Sequence, residues 1–215
     1  ASVTIRPRLD LTAPEGNTTE GAGTTIPVIF THTGTTGDFW KLLYSTDGGD
    51  AGSGTYPDPA NVITTLTGIA PSVPYQHDWL IPSAGSILSA AVRVKVQLVG
   101  DEAGVKDESA NNFAIKGAIL NFLPQGNSDV ALTEYWRVGQ SKSITWNSHP
   151  SDQGLVTVVY STDGGNSFTE PGNIIGTPNS SAGTQAWSIP LAAVSEQVRL
   201  RTYRQADSST KGESA

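Results

Sequence analysis

Tyr44-Ser45-Thr46-Asp47-Gly48-Gly49 returns intact as Tyr160-Ser161-Thr162-Asp163-Gly164-Gly165. A run of this length repeated without change marks an internal duplication. Further matches follow in the same order along the chain: Pro59-Ala60-Asn61-Val62-Ile63 with Pro171-Gly172-Asn173-Ile174-Ile175, and Trp79-Leu80-Ile81-Pro82 with Trp187-Ser188-Ile189-Pro190. Val92-Arg93-Val94-Lys95 answers Val198-Arg199-Leu200-Arg201, and Glu108-Ser109-Ala110 answers Glu213-Ser214-Ala215. The 215 residues therefore divide into two like units, a length that accommodates one large or two small domains at roughly 100–200 residues each.

Within each unit the apolar period is two. Val92, Val94, Val96 and Leu98 alternate with Arg93, Lys95 and Gln97, the pattern of a strand with one buried face. Similar readings place strands near 8–13, 24–31, 38–45, 61–67, 74–81, 91–99 and 111–117, then near 118–123, 130–134, 142–147, 155–161, 173–176, 184–189 and 197–204. No window carries a helical stripe with caps, and 23 Gly and 13 Pro supply the turns. About seven short strands per unit predict an all-β chain of two tandem Ig-like β-sandwich domains. The expected boundaries are 8–117 for the first and 118–215 for the second, with 1–7 standing apart. Residues 110–123 run on without a Gly/Ser linker, so the domains are expected end to end, sharing a nearly continuous strand.

A net charge of −7 provides no basic footprint for nucleic acid and disfavours an anionic membrane surface. With no cysteine, disulfides, thiolate metal sites and thiol nucleophiles are excluded together. The longest apolar runs, such as Gly117-Ala118-Ile119-Leu120, fall far short of the ~20 residues of a membrane span. The chain opens on Ala1 and contains no methionine, a start expected after removal of a secretory signal.

The Tyr-Ser-Thr-Asp-Gly-Gly turn, the Trp-x-Ile-Pro strand and Asp107-Glu108-Ser109-Ala110-Asn111-Asn112-Phe113-Ala114-Ile115 resemble the tandem Ig-like, fibronectin-III-like repeats of bacterial secreted and surface proteins. The resemblance covers nearly the whole chain. It implies an extracellular stalk, adhesive or spacer role and transfers no catalytic residues, since fold alone does not set function.

Few residues announce chemistry. Ser161-x-Asp163-x-Gly165-x-x-Phe168 fits the Asp-box pattern of sialidases, with Gly52 at the aromatic's place in the first copy. A structural hairpin turn is the expected role. His32, His77 and His149 have no second ligand at metal spacing and are expected at surfaces or edges. Asp101, Glu102, Asp107 and Glu108 crowd one turn; a solvated acidic turn is preferred there over a calcium site. Arg93, Lys95, Arg199, Arg201 and Arg204 form a basic stripe, expected to pair with cross-strand acids or, alternatively, to meet an acidic neighbouring subunit. Among the tryptophans, Trp79 and Trp187 are expected in the cores rather than on a sugar-stacking platform, and Trp136 is the least clearly buried. Asn17-Thr18-Thr19 and Asn179-Ser180-Ser181 match the glycosylation sequon. No nucleophile elbow or phosphate loop is present, and no enzyme is expected.

The phase of the repeat points to assembly. Aligning Pro14-Glu15-Gly16 with Pro124-Gln125-Gly126 sets Ile5 on Ile115, Val3 on Phe113 and Ala1 on Asn111. Residues 1–7 thus match the last strand of a unit, while the second unit stops before its own. The expectation is a structural subunit of an extracellular filament, polymerising head-to-tail with identical subunits as Val3 and Ile5 enter a groove beside Val198 and Leu200, as in donor-strand-complemented pili. The alternatives are a fragment of a long multi-repeat secreted adhesin and, more distantly, a carbohydrate-binding accessory module. No cofactor is expected beyond the calcium alternative.

Overall fold

The computed structural model describes residues 3–35, 37–124, 135–151 and 153–214. The chain forms two compact units: Ala1–Pro82 with Ser86–Lys116, and Ser83–Gly85 with Gly117–Ala215. The expected strand at 130–134 lies outside the described residues, as do Ala1 and Ser2 of the 1–7 segment.

In unit 1, Leu9–Ala13 (β1), Thr25–His32 (β3) and Tyr75–Leu80 (β6) form one sheet in the order β1-β3-β6. The other contains Thr19–Gly21 (β2), Trp40–Ser45 (β4), Val62–Leu66 (β5), Ser89–Leu98 (β7) and Phe113–Lys116 (β9) in the order β2-β9-β7-β4-β5, with Lys106–Glu108 (β8) also pairing β7. Two sheets enclosing one apolar layer make the Ig-like sandwich. Val28 and Phe30 face inward from β3, Val92, Val94 and Val96 from β7, and all five are fully buried. The period-two pattern is the cause, because successive side chains on a strand point to opposite faces.

Unit 2 repeats the plan. Ala118–Leu123 (β10), Ser141–His149 (β11) and Thr184–Ser188 (β14) form one sheet. Val156–Ser161 (β12), Ile174–Gly176 (β13), Arg199–Arg204 (β15) and Asp207–Glu213 (β16) form the other, in the order β13-β12-β15-β16. Every residue of β12 is buried, as befits a central strand covered on both faces. Ile144, Trp146, Val156, Val158, Trp187 and Leu200 lie in its core.

Three strands depart from the sequence reading. β2, β8 and β16 occupy stretches expected as turns. The acidic turn after β7 holds β8, which pairs Lys95 with Glu108 and Val96 with Asp107. Its counterpart β16 pairs Arg201 with Glu213 and Thr202 with Gly212. Both are polar and escape a hydrophobicity pattern. Gly212 has a steric reason: a Cβ there would lie 2.9 Å from Ile119 Cγ2. His32 is a further correction. Far from lying at a surface or edge, it is buried in the unit 1 core, its ring 4.5 Å from that of Trp40 and its Nδ1 accepting from Gly34 N–H at 3.1 Å.

Candidate functional site

The repeated hairpin turns are built alike. Ser45 Oγ donates to Asp47 Oδ1 at 2.5 Å and accepts from Gly49 N–H at 3.0 Å. Ser161 makes the same contacts with Asp163 and Gly165, at 2.5 and 2.9 Å. Asp163 accepts from both N–H and Oγ–H of Ser167, and Asp47 accepts the same pair from Thr55. Thr55-Tyr56 therefore stands where Ser167-Phe168 stands, across a longer loop. Tyr56, not Gly52, is the aromatic of the first copy. Hydrogen bonds from Ser161 and then Ser167 hold the Asp163 carboxyl down at about 2, and the Ser45 hydroxyl leads the lowering at Asp47.

These aromatics shape what lies over the second sheet. Lys95 Nζ sits 3.9 Å from the Tyr56 ring centroid, and the Arg201 guanidinium 3.6 Å from that of Phe168, both cation–π contacts. Tyr56 Oη donates to Glu108 at 2.7 Å. Burial, followed by the neighbouring Glu108 carboxylate, pushes the phenol far above its ordinary value. Glu108 also accepts from the N–H groups of Asp50 and Ala51 and pairs with Arg93 at 3.2 Å.

The basic stripe is thereby consumed internally. Lys95 reaches Asp50 at 3.5 Å, Arg201 pairs with Glu213 at 3.1 Å, Arg204 donates to the Gln153 carbonyl, and Arg199 to that of Ser214. The crowded acids turn to different partners. Asp101 pairs with Arg6 at 2.6 Å, Glu102 accepts from Gly100 N–H, and Asp107 from Leu11 N–H. Among the described residues no three metal-ligating side chains converge. Asn17 and Asn179 are both exposed, and the Asn179 carbonyl is engaged by Ser181.

What remains open is a strand edge. In unit 1, β9 lies along the first half of β7, with Ile115 opposite Ser89 and Phe113 opposite Val92. Ser89 corresponds to Ser195, since each hydroxyl donates to the equivalent turn carbonyl, that of Thr46 or Thr162. The counterparts of Leu88 and Val92 are then Val194 and Val198. Val92 is 0% exposed, but Val198 is 36% and Val194 67% exposed. Among the described residues no strand pairs with 195–198. Leu200 lies deeper, buried, its carbonyl taken by Ser214 N–H, as the Val94 carbonyl is taken by Ser109 N–H. Val3 and Ile5 lie outside any strand, 86% and 93% exposed.

No family model matches the chain, and no curated protein matches it. Solved structures with which it aligns include the fibronectin(III)-like modules of Clostridium thermocellum CbhA, at 16% identity and a TM-score of 0.28, over 96% of this chain and 91% of that one. Another is DIP-gamma IG1+IG2, at 8% identity and 0.29, over 97% and 96%. A chimeric titin Z1Z2 aligns at 12% identity and 0.28, over 98% and 95%. The Ig-like assignment rests on the strand order of the two sheets.

Proposed function

We propose that the chain is a structural subunit of an extracellular filament or surface fibre, in which residues 1–7 of one copy complete the open edge of unit 2 in the next. The observation that carries this reading is the contrast between Val92, covered by β9, and exposed Val198. Unpaired backbone beside apolar side chains is costly and invites another strand. Val3 and Ile5 supply the alternation that Phe113 and Ile115 supply in unit 1. An extracellular setting comes from the resemblance to secreted repeat proteins. The role is structural, without catalysis.

Burying two aliphatic side chains contributes about 1.5–3 kcal/mol each, and each ladder hydrogen bond about 0.5–1.5 kcal/mol net. Because donor and acceptor are different surfaces, the contact propagates into an open filament unless its rotation closes a ring. Deleting residues 1–7, or replacing Val3 and Ile5 together by Asp, is expected to give monomers by light scattering and electron microscopy with unit 1 intact. Assembly of the deletion variant as efficient as that of the parent overturns the proposal. Intact mass of native material distinguishes a subunit of this size from a larger repeat adhesin.

A further inference from the structure

Chain length brings a second pair of surfaces together when residues 1–7 are donated. Ile5 set opposite Ser195, as Ile115 is opposite Ser89, sends Arg6 past Val194 toward the loop that holds Leu191 and away from Glu196. β1 of the same copy starts at Leu9, and the four steps from Ile5 to Leu9 span at most about 14 Å. The loop between β14 and β15 of the receiving unit 2 is therefore drawn against the end of unit 1 at which the donor's chain enters. Two residues mark that entry end. Arg8 exchanges hydrogen bonds with Thr33, and Arg6 is held on Asp101 over Gly104, where a Cβ would lie 2.4 Å from Arg6 Nε.

Both surfaces are more apolar than their counterparts in the other unit. At the entry end of unit 1, Phe39 and Val99 are exposed and joined by a hydrogen bond from Val99 N–H to the Phe39 carbonyl. The same bond in unit 2 joins Gln205 to Leu155, with a polar residue in place of Val99. In the loop between the Trp-x-Ile-Pro strand and the next, unit 2 has Leu191-Ala192 where unit 1 has Ser83-Ala84-Gly85-Ser86, and Leu191 is exposed. β9 ends at Lys116 and β10 begins at Ala118. At each end, then, the more apolar version is the one that Gly117 does not join within the chain.

Charge is complementary as well. Asp38, next to Phe39, accepts from Thr35, and Glu102 from Gly100 N–H; neither forms an ion pair among the described residues. On the other surface Arg137 is exposed, two residues before Gly139, whose N–H donates to the Ile189 carbonyl beside the Leu191 loop. Gly23 N–H makes the equivalent bond to the Ile81 carbonyl, so the place of Arg137 in unit 1 is held by uncharged Gly21.

We propose that Phe39 and Val99 of one copy pack against Leu191 of the copy that receives its residues 1–7, with Arg137 meeting Asp38 and Glu102 at the polar rim. The contact rests on the strand-donation reading and adds a second interface, which sets the angle at which successive copies meet.

Light scattering of the full chain measures the lowest concentration at which it assembles. Leu191→Ser and Phe39→Ser are each expected to raise that threshold at least fivefold, and together little further, because they remove one shared contact. A fluorescein-labelled peptide of residues 1–7, bound to the full chain carrying Val3→Asp and Ile5→Asp, is expected to keep its affinity when Leu191→Ser is added. Because the chain has no cysteine, Phe39→Cys combined with Leu191→Cys is expected to give disulfide-linked ladders on oxidation, which neither single variant gives. Unchanged thresholds in both serine variants, or filaments of the cysteine pair that yield no ladder, overturn the contact and leave strand donation standing when assembly still needs residues 1–7. Loss of peptide affinity with Leu191→Ser also overturns it, since Leu191 then belongs to the strand edge. Assembly that persists after deletion of residues 1–7 overturns both.

Discussion

The rings of Tyr160 and Trp187 lie 5.3 Å apart, the separation also found between Tyr44 and Trp79. Tyr160 belongs to β12 and Trp187 to β14, so the pair joins the two sheets of unit 2, as its counterpart joins those of unit 1. The Tyr of the repeated turn motif and the Trp of the Trp-x-Ile-Pro strand are thus one contact, duplicated. Replacing Trp187 by Ala is expected to cost about 3–5 kcal/mol, with Trp187→Phe recovering much of it. Urea unfolding followed by circular dichroism measures both.

Glu108 gathers four donors from three parts of unit 1. Glu108→Ala removes the ion pair of Arg93 and the acceptor of Tyr56 Oη and of two loop N–H groups, and is expected to destabilise unit 1 by about 3 kcal/mol. Glu108→Gln, which keeps an acceptor but loses the ion pair, is expected to cost less. Thermal unfolding of the two variants against the parent checks the order.

Acid dependence is expected at Asp163. Its folded value, about 2, lies below its ordinary value of 3.8, so the folded chain binds fewer protons in acid than the unfolded one. The stability this contributes is complete above the ordinary value and is lost as pH falls through the folded one. Asp163→Asn is expected to shrink the difference between urea midpoints measured at neutral pH and below 3.8. An undiminished difference in the variant contradicts this assignment.

Divalent metal is not expected to support the fold, because Asp101, Glu102 and Asp107 each already accept from a separate protein donor, Arg6, Gly100 and Leu11. Unfolding temperatures with chelator and with added calcium are expected to coincide. Loss of stability in chelator that calcium restores refutes this.

Much of the fold was legible because burial on a strand has a two-residue period. β3, β4, β7 and β12 each carry a run of apolar residues on the inward face, and the repeat doubled every reading. β8 and β16 were not legible for the same reason: β16 buries Thr210 and Gly212 alone, and its pairing with β15 is a matter of backbone hydrogen bonds, to which side-chain hydrophobicity is blind. The aromatic of the first turn escaped because a longer loop moved Tyr56 out of the spacing that Phe168 keeps.

Sequence alone determined the duplication, the sandwich class and the core role of Trp79 and Trp187, all of which are properties of local pattern. Tertiary structure alone decided that His32 is buried, that Lys95 and Arg201 are covered by Tyr56 and Phe168, and that Val198 is exposed where Val92 is not. The physical reason is that exposure belongs to a pair of segments. Val92 and Val198 sit in the same local sequence, and they differ by whether a strand such as β9, remote along the chain, lies across them.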